Sequence, residues 1–230
     1  MYRIESHLHT KYISVCGWLE AEELAKRYHE AGYHALAVTD HYNVDTWLRL
    51  GIDARQVRDV MPQFTEGFHR LEQAAAKYDM PVYLGAEVRF YENQNDYLLF
   101  GFDPALLAQP HEVMSMGAVA FSEYARKAGA VMIQAHPFRT GCIPLDPVFV
   151  DGIEIYNANP RHNNHNDRAQ ALAERQAPSF LRTAGSDCHR PEDIGLSGLL
   201  SPTLPANAKE FADLLRAQTF SPIIPTEQAR

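Results

Sequence analysis

Cysteine is scarce in this chain: three in 230 residues, Cys16, Cys142 and Cys188, with no CxxC pair among them. That spacing argues against a disulfide scaffold and against a zinc ribbon. No apolar run approaches the roughly 20 residues that span a bilayer. The opening MYRIESHLHT lacks the basic-then-apolar layout of a secretory leader. Positive charge is also short, with 21 Lys and Arg against 29 Asp and Glu for a net charge of −8. A non-specific nucleic-acid coat or an anionic-membrane binder needs clustered positive charge, so both are disfavoured. No low-complexity tract, repeat or charge block marks a linker. The expectation is one cytoplasmic domain over residues 1–230, with no membrane and no obligate nucleic-acid or protein partner.

What the chain does have is alternation. Short apolar runs at 2–6, 35–39, 82–88, 97–102, 131–135, 152–156 and 179–184 are bounded by Gly, Pro or polar clusters and read as buried strands. Amphipathic stretches at 19–32, 63–78, 118–129, 166–176 and 208–218 read as helices, the first stopping at Gly32. Such alternation is the pattern of βαβ units and a parallel sheet. Seven strands fall short of an eightfold barrel, which typically takes about 250 residues. The expected fold class is α/β: a distorted (β/α)7 TIM-like barrel in a single domain, with a doubly wound open sheet as the alternative. Both architectures put functional groups at the carboxyl ends of strands.

The chain also holds 11 histidines, and several sit at those ends. The first strand runs into Ser6-His7-Leu8-His9-Thr10, where residues two apart share a face. Thr39-Asp40-His41, Gly85-Ala86-Glu87, Ala135-His136-Pro137 and Ser186-Asp187-Cys188-His189 follow at later strands. Any one of these is a weak signal. An HxH pair is usually incidental, and a TDH tripeptide can simply open a loop. Five strand ends that each deliver His, Asp or Glu are a poor coincidence. Bringing such groups together without a cation would be unfavourable, whereas a nitrogen and oxygen donor set suits Zn²⁺, Mn²⁺ or Fe.

HLHT, TDH, GAE, AHP and SDCH, in that order, resemble the motifs of the PHP (polymerase and histidinol phosphatase) metallohydrolases, over residues 2–198. Residues 199–230 would form a closing segment. The resemblance implies a distorted (β/α)7 barrel with two or three divalent metal ions at its carboxyl rim. It implies His7, His9 and Asp187 on a first metal, Glu87 bridging to a second, and His136 on the second. His41 and His189 would belong to a third, with Asp40 as a ligand or an orienting group. Two departures stand out. The stretch 11–17 after the first motif has no Asp or His, only Cys16 as a soft candidate, more simply read as an inert thiol. After the glutamate, where some members carry another histidine, Asp96, Asp103 and His111 are the available substitutes.

The expected chemistry is hydrolysis of a small phosphate ester or nucleotide phosphate by a metal-bound hydroxide, without a covalent enzyme intermediate. Asp40 or His189 is the candidate proton shuttle. Lys11, Arg89, Arg139 and Arg161 leave strand ends and are candidates to grip the phosphate, although a solvated loop charge is the simpler reading of each. Trp18, Trp47 and the Tyr91 region are candidate pocket walls, and Glu154 and Asn157 candidate supports. A metal-dependent amide hydrolase and a metal-binding regulatory module without turnover are the alternatives.

Overall fold

The first strand, β1 (Tyr2–Leu8), passes from half-buried residues into five consecutive buried ones. That profile needs neighbours on both sides, and β1 has them: β2 (Ala35–Val38) runs parallel to it and β9 (Gly198–Ser201) antiparallel. The computed structural model describes residues 1–225. Between these strands the chain forms α1 (Ala21–Glu30), β3 (His41–Tyr42), α2 (Val44–Leu50), α3 (Met61–Phe64), α4 (Glu66–Ala75), β4 (Val82–Arg89), β5 (Asp96–Phe100), α5 (Pro110–Lys127), β6 (Val131–Gln134), β7 (Gly152–Asn157), α6 (Asn166–Glu174) and β8 (Leu181–Gly185). It finishes with α7 (Ala208–Ala217) and β10 (Ser221–Ile223).

The sheet order is β10-β9-β1-β2-β4-β5-β6-β7-β8, with β3 paired to β4. Its far end curls back to β1. Leu8 bridges Cys188 just past β8, the His9 amide donates to the Cys188 carbonyl at 3.0 Å, and the Cys188 amide donates to the His7 carbonyl at 3.1 Å. The result is a nearly closed, distorted (β/α)7 barrel of β1, β2, β4, β5, β6, β7 and β8 in a single domain. Among the described residues, no helix is long and apolar enough to cross a membrane.

The wholly parallel sheet expected from the alternation is corrected at two strands, β9 beside β1 and β5 within the barrel. β5 runs antiparallel to both β4 and β6. Residues 90–95 form a short connection, too short for the helical crossover that parallel strands require. Helix limits also shift. The stretch 63–78 divides into α3, α4 and a 3₁₀ turn. α5 begins at Pro110 rather than 118, with a break at Gly117 (φ 74°). The unanticipated α2 is capped by Asn43, whose side chain accepts from the Thr46 amide, and ends at left-handed Gly51.

Alternation of faces sorts the core. Leu36 and Val38 pack with Leu24, Tyr28 and Leu71 of α1 and α4, while Ala35 and Ala37 join Ile4, Tyr83, Ile133 and the α7 residues Phe211 and Leu215. Glu87 shares a face of β4 with Tyr83, and His7 meets Glu87 although Ile4 packs with Tyr83. Ile4 and His7 are an odd number of residues apart, and a regular strand would set them on opposite faces. The shift of the β1–β2 register between Glu5 and Leu8 supplies the extra residue that turns His7 back to the Glu87 side.

Candidate metal centre

The candidate residues converge on one rim. His7 and His9 end β1, His41 lies in β3 beside Glu87 of β4, His136 follows β6 by two residues, and Asp187 and His189 follow β8. Because β5 is reversed, its beginning rather than its end reaches this rim, and Asp96 arrives with it. Asp187 and His136 both hold left-handed backbone (φ 50° and 28°), a conformation sparsely populated by residues other than glycine, and one that concentrates at functional sites. Gly185 is glycine for a contact reason: a Cβ there would strike the His7 Cβ and Glu154 Oε1.

Glu87 lies at the centre, wholly buried. Its Oε1 is 3.3 Å from His7 Nε2 and 3.1 Å from His136 Nε2. Its Oε2 is 3.4 Å from His9 Nε2 and 2.8 Å from His41 Nδ1. Asp187 Oδ1 is 3.5 Å from His7 Nε2 and 3.3 Å from His9 Nε2. Despite this closeness, His7 Nε2, His9 Nε2, His41 Nδ1, Glu87 Oε2 and Asp187 Oδ1 are all buried without a hydrogen-bond partner. Buried polar atoms are normally satisfied. Five orphans facing one another fit a donor set built for cations. His7, His9 and Asp187 form one group whose ligand atoms lie within 4.8 Å of each other; His9, His41 and His189 form a second, and His41, Glu87 and Asp96 a third.

The partners of the histidines fix which nitrogen is free. His7 Nδ1 meets Glu154 Oε1 at 2.9 Å, so Nδ1 keeps its proton and Nε2 is the nitrogen that would give one up to present its lone pair to a cation. Ser14 Oγ donates to Asp40 Oδ1 at 2.6 Å, so its contact with His9 Nδ1 at 3.2 Å must be donated by the ring, freeing Nε2 again. His189 Nδ1 donates to the Asp187 carbonyl at 2.8 Å. Glu154 does more than orient His7: its Oε2 accepts from the His136 amide at 3.0 Å and from Asn157 Nδ2 at 2.9 Å.

Electrostatics follow from burial and neighbours. Burial opposes the charge on His7, but Glu154, Asp187 and Glu87 outweigh it and hold its pKa well above the usual value. Burial, then His189 and His41, push His9 well below. Burial and Arg139 oppose the charge on His136, yet Cys142 and Glu87 bring it up to about 9. Burial would raise the carboxyl pKa of Glu87 and Asp187. His41 and His7 pull Glu87 well below the usual range, and His7 and Arg139 do the same for Asp187. Burial would likewise raise the Cys16 thiol, but His189 and His41 draw it down to about 7.

Other candidates are placed differently. Asp40 is not in the cluster: Thr10 N and Thr10 Oγ1 donate to its two oxygens at 2.7 Å each, and Ser14 Oγ donates as well. It ties the loop after β1 and reaches His9 only through Ser14. A Cβ at Gly67 of α4 would collide with Asp40 and Thr10, so the helix closes over this carboxylate. Asp103 caps the 3₁₀ turn 104–107 and His111 bonds Tyr91 at the surface. Asp96 is buried, with Oδ2 3.8 Å from His136 Nε2.

A cavity of about 500 Å³ opens over the centre, lined in part by Cys16, Trp18, His41, His136, Arg139 and His189. Of the four phosphate candidates, Lys11 is not in its wall and pairs with Glu20. Arg89 and Arg161 are in the wall but forked onto Asp96 (2.8 and 2.5 Å) and Asp193 (2.7 and 2.6 Å). Arg139 Nη2 donates to Asp187 Oδ2 at 2.5 Å and Nε to Asn164 Oδ1 at 2.8 Å. Trp47 is a core residue against Tyr42 and Phe64. Trp18 is 61 % exposed and carries the Arg190 guanidinium 4.1 Å over its ring. Arg190 escaped the sequence reading, though it follows a strand-end motif as directly as Arg89 does. Glu5 escaped it too: Oε1 of this buried carboxylate accepts from the amides of Ser6, His7 and Ser186 at 3.0 Å each, and Oε2 from the Tyr28 hydroxyl at 2.9 Å.

A family model described as the PHP domain matches residues 5–186. None of the curated proteins matches the chain. Among solved structures, a proposed metal-dependent phosphoesterase from Bifidobacterium adolescentis is 17% identical over 94% of this chain and 96% of its own, with a TM-score of 0.57. A two-domain protein from Bacteroides vulgatus containing a predicted PHP-like metal-dependent phosphoesterase is 13% identical with a TM-score of 0.68. The match covers 97% of this chain but 64% of that one. An amidohydrolase from Chromobacterium violaceum, with bound sulfate and no metal, is 18% identical over 99% of this chain and all of its own, with a TM-score of 0.53. At these identities the likeness is one of fold.

Proposed function

The chain belongs to the PHP domain family, and from that premise we propose that it is a metal-dependent phosphoesterase acting on a small phosphate ester or nucleotide phosphate. One observation carries the reading: five buried, partnerless donor atoms on His7, His9, His41, Glu87 and Asp187 face one another beneath the cavity. We assign His7, His9 and Asp187 to one cation, Glu87 as the bridge, His136 with Asp96 to a second, and His41 with His189 to a third. The ions would be Zn²⁺, Mn²⁺ or Fe, in a cytoplasmic setting where the three free cysteines stay reduced. Bound cations would acidify a water molecule and stabilise the negative charge developing on phosphoryl oxygens.

The remaining work falls to side chains. Glu154 and Ser14 hold the His7 and His9 rings so that Nε2 faces the centre. Arg139 keeps Asp187 Oδ2 occupied and leaves Oδ1 for a cation. Arg190, which forms no ion pair among the described residues, is the cavity arginine best able to meet a phosphate oxygen, with Trp18 beside it. Asp40, with both oxygens engaged, cannot carry a substrate proton, which leaves His189 Nε2 for either a proton or a cation.

Metal-reconstituted protein offered p-nitrophenyl phosphate, its bis-ester and a set of amides tests the proposal. Phosphate ester turnover that disappears in His7→Ala supports it. Amide turnover without phosphate release would establish the other hydrolase chemistry instead. Bound metal with no turnover on any substrate would point to a regulatory module.

A further inference from the structure

We propose that Cys16 is a thiolate ligand of the cation held by His41 and His189, and that it makes this one position of the centre selective for a thiophilic metal. The inference rests on the metal-centre reading and adds to it the ligand that the loop after β1 supplies.

The loop is built to present this side chain. The Ser14 amide donates to the Thr10 carbonyl at 3.2 Å and the Gly17 amide to the Ser14 carbonyl at 3.1 Å, wrapping residues 14–17 into a turn. Both ends of the turn are fastened to the partner histidines. Ser14 Oγ accepts from the His41 amide at 3.0 Å, and the Trp18 amide donates to the His189 carbonyl at 3.0 Å. Gly17 allows no side chain, since a Cβ would run into the Thr10 carbonyl. Cys16 therefore stands in the cavity wall together with His41 and His189.

A second, independent observation marks the same place as a ligand site. His9 is 1 % exposed and its Nε2 has no hydrogen-bond partner, and this orphan belongs to a group with His41 and His189 whose ligand atoms lie within 4.8 Å of one another. The His9 ring stacks on both of the others, with centroids 4.3 Å apart for His9 and His189 and 4.4 Å for His9 and His41. With His9 given to the first cation, Cys16, His41 and His189 make a set of two nitrogens and one sulfur. Three protein ligands with a fourth position open to the cavity is the usual arrangement of catalytic zinc. Thiolate selects zinc or another thiophilic ion, whereas Mg²⁺ and Mn²⁺ prefer carboxylate oxygen, and residues 11–17 offer none.

The other thiols do not compete for this role. Cys188 is fully buried, and Cys142 lies against the Gln94 carbonyl and His136 Nδ1, at 3.6 and 3.9 Å. Binding converts the Cys16 S–H to thiolate and releases one proton to solvent. It also occupies His189, so the leaving-group proton comes from water.

The test is spectroscopic. Metal-free protein kept reduced is titrated with Co²⁺, and the near-ultraviolet thiolate-to-cobalt charge-transfer band is recorded for wild type, Cys16→Ser, Cys16→Ala and Cys142→Ser. The expected result is a band in wild type and Cys142→Ser that is lost in both Cys16 variants. Elemental analysis after zinc loading should then show one equivalent fewer in Cys16→Ala, and unchanged circular dichroism shows that the variant is folded. Cobalt binding without the band, or a band that survives in Cys16→Ser, overturns the thiolate ligand and leaves the metal centre standing. Failure of wild type to bind cobalt at all overturns both.

Discussion

Glu154 Oε1 lies 2.9 Å from His7 Nδ1, and neither side chain has any exposed surface. The carboxylate thereby decides which nitrogen of His7 faces the centre. Glu154→Gln puts an amide donor on a carboxylate that now accepts three bonds, from His7, the His136 amide and Asn157. Metal affinity, measured by competition with a chromogenic chelator, should fall about 10–100-fold. An unchanged affinity would deny Glu154 its orienting role.

Asp187 serves two masters, Arg139 through Oδ2 and the histidines through Oδ1. Asp187→Ala would strand a largely buried guanidinium, a defect of roughly 3–5 kcal/mol, and would confuse stability with function. Asp187→Asn keeps the shape and an acceptor. It should remain folded by thermal melting, bind at least one equivalent less metal by elemental analysis, and lose about 100-fold or more in kcat/KM on p-nitrophenyl phosphate. Full metal content in this variant would remove Asp187 from the ligand set.

Metal binding should be strongly pH-dependent. Without a cation, neighbouring carboxylates hold His7 and His41 well above the usual histidine pKa, and His136 is brought up to about 9. A cation must displace these protons, so apparent affinity falls as pH drops, up to about tenfold per pH unit for each proton released. Calorimetric titrations in two buffers of different ionisation enthalpy should report net release of at least one proton. Zero release would contradict the protonated resting cluster.

Glu5 sets a separate pH dependence. Burial, working against four hydrogen bonds, lifts its pKa from 4.5 to about 7. The folded state therefore holds the proton more tightly than the unfolded chain. Its contribution is complete below pH 4.5 and is lost as pH rises through about 7, a change of roughly 3 kcal/mol. Glu5→Gln imitates the protonated acid, since its Oε1 keeps the three amides and its Nε2 donates to the Tyr28 oxygen. The variant should match wild type in chemical denaturation near pH 5 and exceed it near pH 8. Parallel pH profiles for the two proteins would refute the assignment.

The strand-end motifs were legible because the signal is local: a short buried run followed at once by His, Asp or Glu. His7, His9, His41, Glu87, His136, Asp187 and His189 all meet at one rim, as that pattern implies. Direction was not legible. The 97–102 run reads identically up or down, and only the short link of residues 90–95 betrays the reversal of β5 that brings in Asp96. Partnering was equally hidden. Nothing in the sequence distinguishes Arg89 and Arg161, each clasped by an acid far along the chain or across a turn, from Arg190 lying free on Trp18. Asp40 belongs to the same class: its motif marks the position, but Thr10 and Ser14, which take up both of its oxygens, come from another loop. Glu5 passes for an ordinary strand residue until Ser186, 181 positions away, is set beside it.

The left-handed backbone at His136 and Asp187 has an evolutionary corollary. Each residue keeps a main-chain shape that costs on the order of 1–3 kcal/mol and would relax in glycine or asparagine. On the proposed function, it is the chemistry asked of these two positions that would oppose that relaxation. In a duplicated copy freed from its reaction, these two positions should be among the first to drift to Gly or Asn, gaining firmness as the pocket falls silent. A descendant carrying both changes would be recognisable as a retired enzyme by its backbone before any assay was run.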